Sequence, residues 1–91
     1  MAIFNNTPSE STLNKAAYCA LYEIIKEGVN NSIDLTNTLK ECVKQCDTLS
    51  EEERKELKPV YQRAYELSCQ YSFNKVKELA SQVGSDFTKD L

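Results

Sequence analysis

The stretch from Ser50 to Gly84, SEEERKELKPVYQRAYELSCQYSFNKVKELASQVG, decides the fold. It opens with Ser50-Glu51-Glu52-Glu53, where a serine hydroxyl can accept from the amide of Glu53 while that glutamate reaches back. Three acids there also face the positive end of a helix dipole. Pro59 arrives roughly two and a half turns later. A proline in that position removes one ladder hydrogen bond and crowds the preceding turn. The sequence therefore predicts a break or kink near Pro59, with a short helix over 51–57 and a long one over 59–83. On the long one, Tyr65, Cys69, Phe73, Val76, Ala80 and Val83 recur at steps of four and three. Val60, Tyr61, Ala64, Leu67 and Tyr71 populate an adjoining face, and Gly84 suits the position just past a helix end.

Upstream, Thr7-Pro8-Ser9-Glu10 reads as a helix start, with Thr7 as N-cap, Pro8 as first helical residue and Glu10 closing a capping box. Leu13, Ala17, Ala20, Leu21 and Ile24 form one apolar stripe, and Tyr18, Tyr22, Ile25 and Val29 a second beside it. Gly28 with Asn30-Asn31 supplies the stop. A second helix is expected over 34–46, with Asp34 near its positive end and Leu35, Leu39, Cys42, Val43 and Cys46 facing inward. The short connection over 47–50 favours an antiparallel neighbour. The expectation is all-α: a small antiparallel helical bundle of three to four helices, the last one longest. It forms one domain over 1–91, with a flexible arm over 1–6 and a flexible tail over 85–91. Ile3 and Phe4 of the arm are available to dock on the body.

Composition narrows the function. The chain has no His and no Trp, and only two Gly among 91 residues. It thus lacks the side chain most used for proton transfer and metal binding near neutral pH. It also lacks a glycine-rich loop that could cradle a phosphate. A net charge of −3 and a pI near 4.9 argue against a general nucleic-acid binder. No apolar run is long enough to span a bilayer, and the first residues lack the basic and apolar regions of a signal peptide. A cytoplasmic protein with no membrane partner is expected. Size scaling leaves a chain this short with a modest core, so self-association or a partner would add stability. A homodimer formed along the long last helix is one form of that.

Four cysteines, Cys19, Cys42, Cys46 and Cys69, raise the question of a disulfide framework or a metal. Cys42 and Cys46 lie four apart on one helix face, and Cys19 and Cys69 are isolated, with no histidine to complete a zinc site. They are expected to be reduced, mostly buried small hydrophobes. A Cys19–Cys69 bridge is the alternative, and a thiol redox or metal protein the weakest functional reading. No cofactor and no bound metal are expected.

Two clusters stand out as candidate sites. The five tyrosines include the i, i+4 pairs Tyr18/Tyr22 and Tyr61/Tyr65, with Tyr71 continuing the second series. Tyrosine anchors interfaces because it brings large apolar area, few rotors and a polar tip. Its other reading is a core-boundary residue with its hydroxyl in water. Arg54, Lys58 and Arg63, with Lys55, concentrate positive charge around Pro59 and could hold an anion beside Tyr61. Against this, Glu51 pairs with Lys55 at i, i+4, and Glu53, Glu56 and Glu66 lie near the rest. The run Glu51-Glu52-Glu53 could also imitate phosphates, a remote reading, because acids and bases alternate along the chain. No nucleophile is spaced to meet a base, so an enzyme is not expected. The leading expectation is a non-enzymatic protein-binding regulator, an inhibitor, immunity-type antidote or adaptor. The alternative is a binder of a small anionic ligand or nucleotide.

Overall fold

A computed structural model describes residues 10–89, with side chains as far as Val83. The readings placed on Thr7, Pro8 and the arm over 1–6 lie outside these residues. Among the described residues the chain forms four α-helices: α1 (Glu10–Lys26), α2 (Ser32–Gln45), α3 (Glu51–Gln70) and α4 (Phe73–Lys89). A 3-10 turn, Cys46–Thr48, continues α2 toward α3. The all-α expectation is met.

Local chemistry explains most boundaries. α1 ends where Gly28 takes a φ of 125°, a left-handed value that other residues rarely adopt. The Gly28 amide donates to Ile25 O at 3.0 Å, closing the last turn. Asn31, expected to help stop α1, instead starts α2. Its Oδ1 accepts from the Asp34 amide at 2.8 Å, and its Nδ2 donates to Asp34 Oδ2 at 3.0 Å. That reciprocal cap moves the start of α2 ahead of the expected position 34. Ser50 caps α3 as expected: Glu53 N donates to Ser50 Oγ at 3.3 Å, and Ser50 Oγ donates to Glu53 Oε1 at 3.0 Å.

The division of the last segment is where the expectation fails. α3 continues through Pro59 without interruption. The missing proline amide would have served the carbonyl of Lys55, which is on the exposed side of the helix, where water can bond it. The good helix formers Glu56, Leu57 and Lys58 precede Pro59, and Ala64 and Leu67 are buried beyond it. The chain breaks instead at Tyr71-Ser72. Tyr71 is extended, at φ −120° and ψ 160°, and ends α3. Ser72 begins α4: Lys75 N donates to its hydroxyl at 3.3 Å and Val76 N to its carbonyl at 2.9 Å. The longest helix is therefore α3, at 20 residues, rather than the last, at 17. α4 also runs through position 84 to Lys89, so Gly84 is not a stop. The long last helix expected over 59–83 is thus shared between α3 and α4.

The senses of the helices follow from which ends meet. At the start of α1, Glu10 and Asn14 receive Arg63 of α3. Farther on, Tyr18 lies near Tyr71 and Lys75. At its end, Tyr22, Ile25 and Val29 share a groove with Lys77, Ala80 and Ser81. Positions rise together on both sides, so α1 runs in the same sense as the second half of α3 and then α4. α1 packs extensively on both, whereas α3 and α4 barely touch each other. α2 packs on α3 in the opposite sense: Lys40 and Val43 meet Gln62–Glu66, while Cys46 and Asp47 meet Tyr61 and Lys58.

The core draws on all four helices: Ala17 and Leu21, Leu35 and Leu39, Ala64 and Leu67, and Val76 and Ala80. Tyr18, Tyr22, Ile24, Ile25, Val29, Tyr61, Tyr65 and Phe73 pack around it. Cys46 is buried as expected, but Cys69, placed on the inner stripe by its spacing, is exposed. Its stripe crosses the break at Tyr71-Ser72, so continuity of spacing there does not mean continuity of face.

Leu21 is fully buried in this core. Leu21→Ala is expected to cost about 2–5 kcal/mol in urea unfolding, a large share of a small domain's stability. A loss well under 1 kcal/mol would show that α1 is not packed as described. Ser72→Ala should cost about 1 kcal/mol if Ser72 caps α4.

Candidate functional site

The basic residues around Pro59 are drawn into separate structural contacts. Lys58 Nζ sits 2.8 Å from Asp47 Oδ1, tying α3 to the 3-10 turn. Arg63 donates through Nη1 to Asn14 Oδ1 at 2.6 Å and through Nη2 to Glu10 at 3.0 and 3.1 Å. Its Nε lies 3.2 Å from Glu66. Arg54 is half-buried and adds to the positive potential at Asp47. Lys55 is 3.6 Å from Glu51, the helical pair expected from their spacing. Among the described residues, the anion-binding candidates Lys58 and Arg63 already face carboxylates of this chain.

The hydrogen bond and charge of Lys58 hold the Asp47 carboxyl below the usual carboxylate range. A depressed carboxylate pKa contributes stability that is present above its unfolded value and lost as pH falls through its folded value. Asp47→Asn is thus expected to flatten the fall in stability below about pH 4, as read from urea midpoints against pH. An unchanged acid limb in that variant would show that the pair is not formed.

The tyrosines do not gather into one patch. Tyr18 and Tyr71 meet near the break, and burial with the nearby Tyr71 raises the Tyr18 hydroxyl above its ordinary pKa. Tyr71 is one of the large exposed apolar residues, with Leu57 and Ile33. Tyr22, Tyr61 and Tyr65 each line a different groove. The first groove, about 390 Å³, lies between the end of α1 and α4. It has Tyr22, Ile25, Val29 and Ala80 with Lys26 and Lys77. The Lys26 ammonium stands 5.7 Å from the centre of the Tyr22 ring, within cation–π range.

The second groove, about 270 Å³, lies between the end of α2 and the beginning of α3. It is lined by Cys42, Gln45, Cys46, Thr48, Leu49, Leu57 and Tyr61. Burial raises the pKa of the Tyr61 hydroxyl, with Cys42 and Cys46 adding to it. The third groove, about 560 Å³, follows α2 against α3 and is lined by Lys40, Val43, Gln62, Tyr65 and Glu66. A hydrogen bond with Cys69, one turn on in α3, raises the pKa of the Tyr65 hydroxyl.

All four cysteines are free thiols. Burial pushes the Cys19, Cys42 and Cys46 thiols up, away from the thiolate form that attacks disulfides and binds metals. Among the described residues, no three of Cys, Asp and Glu converge as metal ligands. With a thiol-reactive dye at neutral pH, exposed Cys69 should label first and buried Cys46 last. Equal rates for the two would contradict the burial of the α2 end.

Sequence reasoning missed Lys40, Val43 and Gln62 as groove residues, and Lys26 and Lys77 as the cations of the first groove. For Lys26 a signal existed in its i, i+4 spacing from Tyr22. Lys40 and Lys77 had none, because the residues that complete their grooves come from other helices. No family model, curated protein or solved structure matches this chain. No helix among the described residues is long and apolar enough to cross a membrane.

Proposed function

We propose that this is a non-enzymatic, cytoplasmic protein-binding regulator, of the inhibitor, antidote or adaptor kind, acting through its helical surface. The supporting observation is the third groove. Half-buried Val43 and Tyr65 line it together with exposed Lys40, Gln62 and Glu66, the last already paired with Arg63. Interfaces have that anatomy, an apolar and aromatic centre inside a polar border. A partner helix presenting one apolar face flanked by an acid to meet Lys40 would match it.

The competing reading, an anionic ligand held by Arg54, Lys58 and Arg63 near Tyr61, needs cations that are free. Lys58 and Arg63 are instead matched with Asp47, Glu10 and Glu66. A thermal-shift series with nucleotides is therefore expected to show no stabilisation, and a shift of several degrees would favour the ligand binder.

The regulator reading is tested by placing a photoreactive phenylalanine at Tyr65 and, as control, at Asn37 on the exposed side of α2. In the native host, the Tyr65 probe should give one discrete covalent adduct absent from the Asn37 sample. Matching adduct patterns, or none, would reject this groove as the binding surface.

A further inference from the structure

We propose that α4 exchanges between two copies of this chain: α3 and α4 straighten into one helix across Tyr71-Ser72, and each α4 packs on the α1 of the other copy. The first ground is what α4 touches. It rests on α1 and hardly on α3, although α3 is its neighbour along the chain. Only Tyr71 and Ser72 join it to the body. The α1 of a second copy offers α4 the same contacts, so the exchange keeps them. Swapping an identical element is a low-cost route to a dimer, and short hinges invite it.

The second ground is the hinge. The Tyr71 amide donates to Leu67 O at 3.2 Å, closing α3, and the Val76 amide donates to Ser72 O at 2.9 Å, opening α4. Among the described residues, no backbone bond joins Ser72, Phe73 or Asn74 to the last turn of α3. Straightening supplies such bonds, from the amides of residues 72–75 to the carbonyls four positions earlier. It gives up one side-chain cap, Lys75 N to Ser72 Oγ at 3.3 Å. Neither glycine nor proline holds the bend.

The third ground is the direction of the faces. Ala64 and Leu67 in α3, and Val76 and Ala80 in α4, are all buried. At roughly 100° per residue, a straight helix sets the first pair on nearly the opposite side from the second. One α1 covers both pairs only because the chain bends. Straightened, the helix over 51–89 is about 58 Å long, and Val76 and Ala80 lose the cover of their own α1. A second copy restores it. The straight helix also aligns Tyr65, Cys69, Phe73, Val76 and Ala80 on one side, a stripe that the bend interrupts and that leaves Cys69 exposed. α2 and α3 keep their packing in the exchange, so the third groove and the functional proposal stand or fall separately.

The test is light scattering and nuclear magnetic resonance on the full chain, refolded from urea at rising concentration. A dimer should appear as concentration rises. In a mixed sample of differently labelled copies, the Ala80 methyl of one copy should show cross-relaxation with the Tyr22 ring of the other. Ser72→Ala removes a cap of the bent form from each chain and should raise the association constant by about 30-fold. Ser72→Pro should abolish the dimer, because proline there breaks the straight helix but suits an extended Tyr71 before it. The proposal is overturned if the wild-type chain stays monomeric throughout. It is equally overturned if a dimer forms while the contacts between α1 and α4 remain within each copy.

Discussion

α1 lies along α3 and α4 in turn, and the rest of the molecule is arranged by that contact. α3 and α4 meet end to end at Tyr71-Ser72 with little packing between them. Two peptide units without a shared core would leave their angle undetermined. α1 fixes it: Arg63 holds Glu10 and Asn14 at one end, Tyr18 approaches Tyr71 at the break, and Ile25 and Val29 reach Ala80's groove at the other. The splint is mainly apolar, and burial of Ala17 and Leu21 between the two helices is what stabilises it.

The core that results is narrow. Three of its buried residues are alanines, Ala17, Ala64 and Ala80, which let helix backbones approach closely but contribute little area each. Leu21, Leu35, Leu39, Leu67 and Val76 supply most of the buried volume. The aromatic side chains, with Ile24, Ile25 and Val29, stand around this centre rather than in it. That explains the placement of four of the five tyrosines: Tyr18, Tyr22, Tyr61 and Tyr65 span from the core edge to water, whereas Tyr71 is exposed. Polar ties at the periphery add definition more than energy, since exposed ion pairs contribute about 0–1 kcal/mol. Arg63 is the exception in geometry, with three partners on two helices.

What could be read from the residues alone was local. The Ser50 capping box, the glycine stop at 28 and the inward set Leu35, Leu39 and Cys46 each follow from interactions within a few positions. Pro59 misled because its local cost was weighed without the packing of Ala64 and Leu67 downstream, which holds the helix together across it. The real break had a weak signature: Ser72 is followed three residues later by Lys75, not by an acid that would complete a capping box. The apolar spacing runs through that point almost in phase, so Cys69 looked buried when it is exposed. At the candidate sites, residue types were legible and partners were not. The cations near Pro59 looked available because Asp47 and Glu10, distant in sequence, could not be matched to them. The grooves were invisible for the same reason, each being built from two helices.

The grooves are shallow seams between helices, edged by side chains whose positions depend on α1 holding its neighbours in line. Native-state hydrogen exchange tests that dependence directly. Amides of α1, of the second half of α3 and of α4 should exchange with one common opening free energy, because none of the three keeps its place without the others. If α4 amides instead open separately while α3 stays protected, α1 does not bind the two helices together, and the account of this fold is wrong.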